Sequence, residues 1–325
     1  MKRIKHLLSI LLAIALMMPF FAFAGEKVPV IGILQYVQHG ALDSAREGFL
    51  KALEEEGYVP GENITIDYQN GQADQSTCAS VADKFVADGV DLMLGIATPA
   101  VLALAGKTDS VPILGTAVTD YVEARLVKSN EAPGFNISGT TDMNPIKDQI
   151  ALIQRFVPEA KTVGLIYTGS EINSQLQATI AKAEIEALGM AWTEVTVNNS
   201  NDVQQAMLSL VGGCDVIYIP TDNVLASSMP IVAEVAVEQK RPVICGDAGM
   251  VKEGGQFTLA IDYYKLGEQT GHMAARILRG EAEVSAMPIE RQSDYSYYVN
   301  KTLCEAIGLE IPEDMLPYAE ETAVE

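Results

Sequence analysis

Val28-Pro-Val-Ile-Gly-Ile-Leu34, then Gln35-Tyr-Val-Gln-His-Gly40, then a helical pattern with Leu42, Ala45, Phe49 and Leu53 on one face, sets the fold. The first seven residues form a short, β-rich apolar run, as expected of a strand buried on both faces. The next six read as a loop. Apolar residues three and four apart then mark an amphipathic helix that closes near Gly57. Strand, loop and helix together make one β–α unit of a parallel sheet.

Working outward, the unit repeats. Ile64–Tyr68 alternates in period two and precedes a helix over 75–87. Strand Val90–Gly95, the turn Ile96-Ala-Thr-Pro99 and a helix from Pro99 follow, then a fourth strand, Val111–Thr116. The same order recurs in the second half. Thr162–Tyr167, a helix over 174–188, Trp192–Val197, a helix over 202–211, Asp215–Asp222 and Arg241–Asp247 match the first set one by one. Two such sets predict an α/β protein of two Rossmann-like lobes, each a parallel sheet flanked by helices.

The first β–α loop lacks GxGxxG, so dinucleotide binding is not indicated. Gly106-Lys107-Thr108 resembles a P-loop end, but the leading Gly is absent, as position 101 is Val. Three histidines, no GxSxG elbow, no HExxH and no metal-ligand cluster leave catalysis, cofactor and metal without support. His39 and Asp43 are spaced to pair, and a histidine there is ordinarily a surface contact. The formal charge of −21 opposes nucleic acid and anionic lipid. Cys78 falls on a core helix face; one disulfide among Cys214, Cys245 and Cys304 stays open.

At the front, Lys2, Arg3 and Lys5 precede an apolar run over 7–23 that ends Ala22-Phe23-Ala24. This is the pattern of a cleaved signal peptide, residues 1–24, so an exported, periplasmic chain is expected. Position 25 is Gly, so no lipid-anchored lipoprotein is indicated.

In open α/β sheets ligands bind beyond the carboxyl ends of the strands, and two facing lobes make a cleft there. Thr98-Pro99 reads as an N-cap followed by a preorganised first turn, whose free N–H groups suit a carboxylate. Thr116 and Ala117 add a hydroxyl and backbone donors. In the second half Asp222, Asn223, Asp247 and Asp262 follow strands, and carboxylates gathered in a cleft suit an ammonium group. Asp222 has an alternative role as a helix cap. Gln35, Tyr36, Tyr167 and Tyr263 lie at strand ends, where tyrosine can wall a pocket. Ser170, Asn173 and Ser174 fill the second lobe's first loop, with Ser174 as N-cap and Asn173 facing the ligand.

Several segments in order resemble the substrate-binding proteins of ABC importers, tryptophan/tyrosine type: IGILQYVQHGALDSAREGF (31–49), ATPAV (97–101), GTAVTD (115–120), YIPTDN (218–223), CGDAGMVKEGG (245–255) and IDYYKLGEQTGHMAARIL (261–278). The resemblance implies a type I periplasmic binding protein fold with three hinge crossings. It implies a monomer that holds an amino acid, aromatic by preference, and delivers it to an ABC permease in the inner membrane. In that picture Thr98 and Thr116-Ala117 hold the α-carboxylate, and Asp247 with Asn223 holds the ammonium. Tyr36, Tyr167 and Asn173 line the side-chain region. The lobes would comprise 28–139 with 263–291 and 140–262 with 292–317, leaving 318–325 as an acidic tail. Asp247-Ala248-Gly249 departs from the Asp-Thr-Asp of relatives and leaves the ligand's identity open. A sensor subunit for a receptor kinase or chemoreceptor, or a non-aromatic solute, is the alternative.

Overall fold

A computed structural model describes residues 28–321. The signal segment lies outside them. The chain builds two sheets with the same internal order. In the first, β1 (Val30–Gln35), β2 (Thr65–Asn70), β3 (Leu92–Ile96), β4 (Ile113–Val118) and β5 (Ile137–Thr141) run β2-β1-β3-β4-β5. In the second, β6 (Thr162–Thr168), β7 (Ala191–Val197), β8 (Val216–Ile219), β9 (Val243–Cys245) and β10 (Phe257–Ala260) run β7-β6-β8-β9-β10. All of these pairings are parallel. The interior strands are buried throughout because helices cover both faces.

The chain changes sheet three times. It leaves the first after β5, for α4 (Ile146–Phe156) and β6. It returns after β10 through α10 (Tyr263–Leu278), which packs on α1 (Gly40–Glu55) of the first lobe. There β11 (Glu290–Arg291) joins β5, and β12 (Ser296–Asn300) then pairs antiparallel with β10. The helix over Lys301–Ile307, α11, follows directly. The segment expected as an acidic tail is partly ordered: β13 (Ala319–Glu320) pairs with Val299 and Asn300 of β12.

The other helices are α2 (Gln75–Asp88), α3 (Thr98–Ala105), α5 (Ile172–Ala187), α6 (Val203–Val211), α7 (Asn223–Ala226), α8 (Met229–Glu238) and α9 (Ala248–Glu253). The first lobe has one core around Leu34, Phe49, Phe85 and Leu94. The second has a core on each face of its sheet, one around Met207 and Ile217, the other around Ile153 and Tyr218. All four cysteines are buried and free, so the disulfide left open by the sequence is not formed. Burial makes each a small apolar side chain instead. Among the described residues no helix is long and apolar enough to cross a membrane.

Candidate functional site

The loops beyond the carboxyl ends of both sheets meet face to face. His39, Leu42, Ala117, Thr119, Asp142 and Tyr263 enclose a cavity with Asn173, Thr221, Asp222, Asn223 and Asp247. The lobes lie nearly shut over it: about 10 Å³ remains, roughly the room of one water. Cross-lobe hydrogen bonds close it. His39 meets Asn223 at 3.4 Å, and Gln177 reaches Thr119 at 3.3 Å.

Each side chain is placed by a local rule. Asp222 caps α7 through Leu225 N–H at 2.9 Å, and its carboxylate also takes the amide and hydroxyl of Thr168. Asp247 caps α9 through Met250 N–H at 2.9 Å. In both, an acidic side chain answers an orphan helix donor. Tyr263 begins α10, and its hydroxyl donates to Asp142 at 2.7 Å. Glu171 stands behind the wall, accepting from Asn173 at 3.1 Å and from Asn223.

The electrostatics are one-sided. Asp142, Glu171, Asp222 and Asp247 are all buried, and no Lys or Arg lines the cavity. Burial pushes the Asp247 carboxyl up to about 7. Burial, and then the neighbouring Asp222 charge, push Glu171 up to about 8. Asp142 and Asp222 rise for the same first reason. His39 cannot compensate, because burial lowers it to about 4 and keeps it neutral. Three buried acceptor oxygens here have no partner: Asp142 Oδ1, Glu171 Oε1 and Asn173 Oδ1. Such atoms are costly unless a donor reaches them. The arrangement can hold a cationic, multi-proton donor.

Six of the residues expected from sequence thus come together: Ala117, Asn173, Asp222, Asn223, Asp247 and Tyr263. The rest do not line the cavity. Thr98 is not a cap; Ala97, at φ 84, takes that place, and the Thr98 hydroxyl accepts from Thr119 N–H behind the wall. Pro99 is buried in the same turn. The Thr116 hydroxyl is occupied by Thr140. Gln35 is spent on Asp43, Arg46 and the Val37 carbonyl, and Tyr36 on the Ala73 carbonyl. Tyr167 points to the sheet's other face, where it donates to Glu194 at 2.9 Å. Ser170 is exposed, and Ser174 lies inside α5, whose N-cap is Glu171. Asp262 caps α10 outside the cavity. His39, read as a surface contact, is instead 9% exposed in the wall. Asp142, Glu171, Thr119 and Thr221 were not foreseen as site residues, although each falls at a strand's carboxyl end or in the loop beyond it.

The chain matches the family model described as ABC transporter substrate binding protein over residues 30–323. It is 43% identical over 285 residues to a tyrosine-binding protein of Clostridioides difficile (strain R20291), covering 88% of this chain and 82% of that one. It resembles the crystal structure of an ABC domain in complex with L-Trp from Streptococcus pneumonia, with TM-score 0.86 and 35% identity over 91% of this chain and 99% of that one. The ligand-free, open structure of a substrate binding protein with adhesive properties from Clostridium difficile shares 45% identity, over 91% of this chain and 100% of that one, but only TM-score 0.69. The type I periplasmic binding protein architecture expected from the sequence is the one found. With its paired sheets and the interlobe cavity between them, the chain belongs to the family of ABC transporter substrate binding proteins.

Proposed function

We propose that this protein is the solute-binding subunit of an ABC importer, exported to the periplasm, that takes an aromatic α-amino acid and hands it to a membrane permease. One observation carries the reading: three buried carboxyl groups line a cavity without a protein cation, a fourth, Glu171, stands behind its wall, and three acceptor oxygens of these residues and Asn173 have no partner. An α-ammonium group brings three donors and the missing charge. Asp247, Asp142 and the Glu171–Asn173–Asn223 group receive it. The Ala117–Thr119 segment, beside the start of α3, faces the carboxylate end. The tyrosine-binding relative and the L-Trp complex support an aromatic side chain.

The remaining space is far too small for an amino acid, so binding requires the lobes to part and close again. This shape agrees better with the L-Trp complex than with the open structure, although the latter has the more similar sequence. Thermal-shift titration against the twenty amino acids tests the reading. Tyrosine, tryptophan or phenylalanine raises the unfolding midpoint; no shift with any amino acid removes the assignment. Asp247→Asn weakens binding more than tenfold, and an unchanged affinity rejects its role.

A further inference from the structure

Gln177 sits one helical turn beyond Asn173, on α5 of the second lobe, and no solvent reaches it. Its Nε2 lies 3.3 Å from the carbonyls of Asn173 and Thr221 and within reach of the Thr221 hydroxyl, all in its own lobe. Its fourth neighbour, 3.3 Å away, is Thr119 Oγ1 in the opposite lobe. Its Oε1 accepts from Thr221 N–H at 3.3 Å. An amide nitrogen has two protons, so four acceptors compete for them. When the lobes part, Gln177 keeps partners at home and Thr119 loses its own.

Thr119 is otherwise fixed. Its N–H donates to Thr98 Oγ1 at 3.4 Å, and its carbonyl accepts from Thr141 at 2.7 Å. Only the hydroxyl can turn. With Gln177 donating to Oγ1, the hydroxyl proton must point elsewhere. Asp142 shares the cavity wall, with Oδ2 taken by Tyr263 and Oδ1 unpartnered.

We infer that Gln177 is a positioning residue that couples lobe closure to the first-lobe segment carrying Ala117 and Thr119 into the cavity wall. Its amide occupies Thr119 Oγ1 only when the lobes meet, and this holds the Ala117–Thr119 segment of the cavity wall against the second lobe. The inference deepens the binding reading and rests on it for the identity of the ligand alone. His39–Asn223 also bridges the lobes, but through the start of α1 rather than the Ala117–Thr119 segment.

Amide hydrogen exchange on the unliganded protein tests it. Gln177→Leu speeds exchange across residues 115–121 of the first lobe by about tenfold, the weight of one buried hydrogen bond. Thr119→Val gives the same change, and the double variant is no worse than either. Thr119→Val leaves the own-lobe partners of Gln177 in place, so it carries the test if Gln177→Leu fails to fold. Faster exchange confined to 170–180 and 216–225 would show a packing role only and overturn the proposal, as would additive effects. With L-tyrosine as probe, Gln177→Leu raises the dissociation rate about tenfold and changes the association rate less than twofold; Thr119→Ser rescues Thr119→Val. If the wild-type protein binds no L-tyrosine, tyrosine is excluded as the ligand and the exchange result still decides Gln177.

Discussion

Asp247 performs two tasks with one carboxylate. One oxygen caps α9, and the side chain faces the cavity. Its folded-state value, about 7, lies far above the roughly 4 of an unfolded aspartate. Glu171, at about 8, behaves alike. The native state therefore keeps protons that the unfolded chain has released, so stability is full below about pH 4 and falls as pH rises through the folded values. His39 acts in the opposite sense, but only between about pH 4 and its ordinary ~6.5. From about pH 6.5 to 8 the acids act alone, and denaturant titrations of the unliganded protein show stability falling across that window. An ammonium ligand favours the ionised carboxylates, so its binding releases protons near pH 7 and its affinity rises with pH. Calorimetry in buffers of different ionisation enthalpy reads that release. Asp247→Asn keeps an oxygen for Met250 N–H while removing the buried acid, so at pH 8 the unliganded variant melts higher than wild type although its binding is weaker.

Among the elements, the α1–α10 crossing depends on glycines in both helices. A methyl group at Gly267 would strike the Ala45 carbonyl oxygen, and one at Gly48 would strike the Tyr264 carbonyl oxygen. The backbones touch there, so the start of α10, which carries Tyr263 into the site, is fixed against the start of α1, which carries His39. Gly267→Ala destabilises by about 1–3 kcal/mol, seen as a fall of several degrees in thermal unfolding. Gly212→Ala, with φ −75 and nothing within 4 Å, stays within about 0.5 kcal/mol of wild type. Helix α4 is one of the elements absent from the sequence reading, although Ile146, Ile150, Ile153 and Phe156 recur on one face. It lies beside a lobe crossing and carries a buried amide. Gln149 donates to the carbonyls of Gly246 and Leu259, at 3.0 and 2.9 Å, and accepts from Tyr218 at 3.0 Å.

For the whole molecule, ligand entry and lobe motion are one process. The closed cavity admits nothing larger than a water, and its walls belong to both lobes. A ligand that satisfies the orphan oxygens favours the closed arrangement by as much as it binds that form better than the open one. L-tyrosine therefore lowers the radius of gyration in small-angle scattering, and Asp247→Asn shows no such contraction at the same concentration.

Periodicity and buried apolar strands were enough to give the duplicated β–α order, because a strand covered on both faces and a helix covered on one write their burial directly into residue type. Strand ends could also be located, and with them Asp222, Asn223 and Asp247. Side-chain direction at those ends could not. Tyr36 and Tyr167 stand at strand ends but turn to the Ala73 carbonyl and to Glu194. Thr116 precedes the strand's last residues and faces Thr140. His39 and Asp142 look like ordinary loop residues until the second lobe closes on them. Their role comes from residues more than a hundred positions away, and only the packing of one lobe on the other removes the water that would otherwise leave each charge and donor unremarkable.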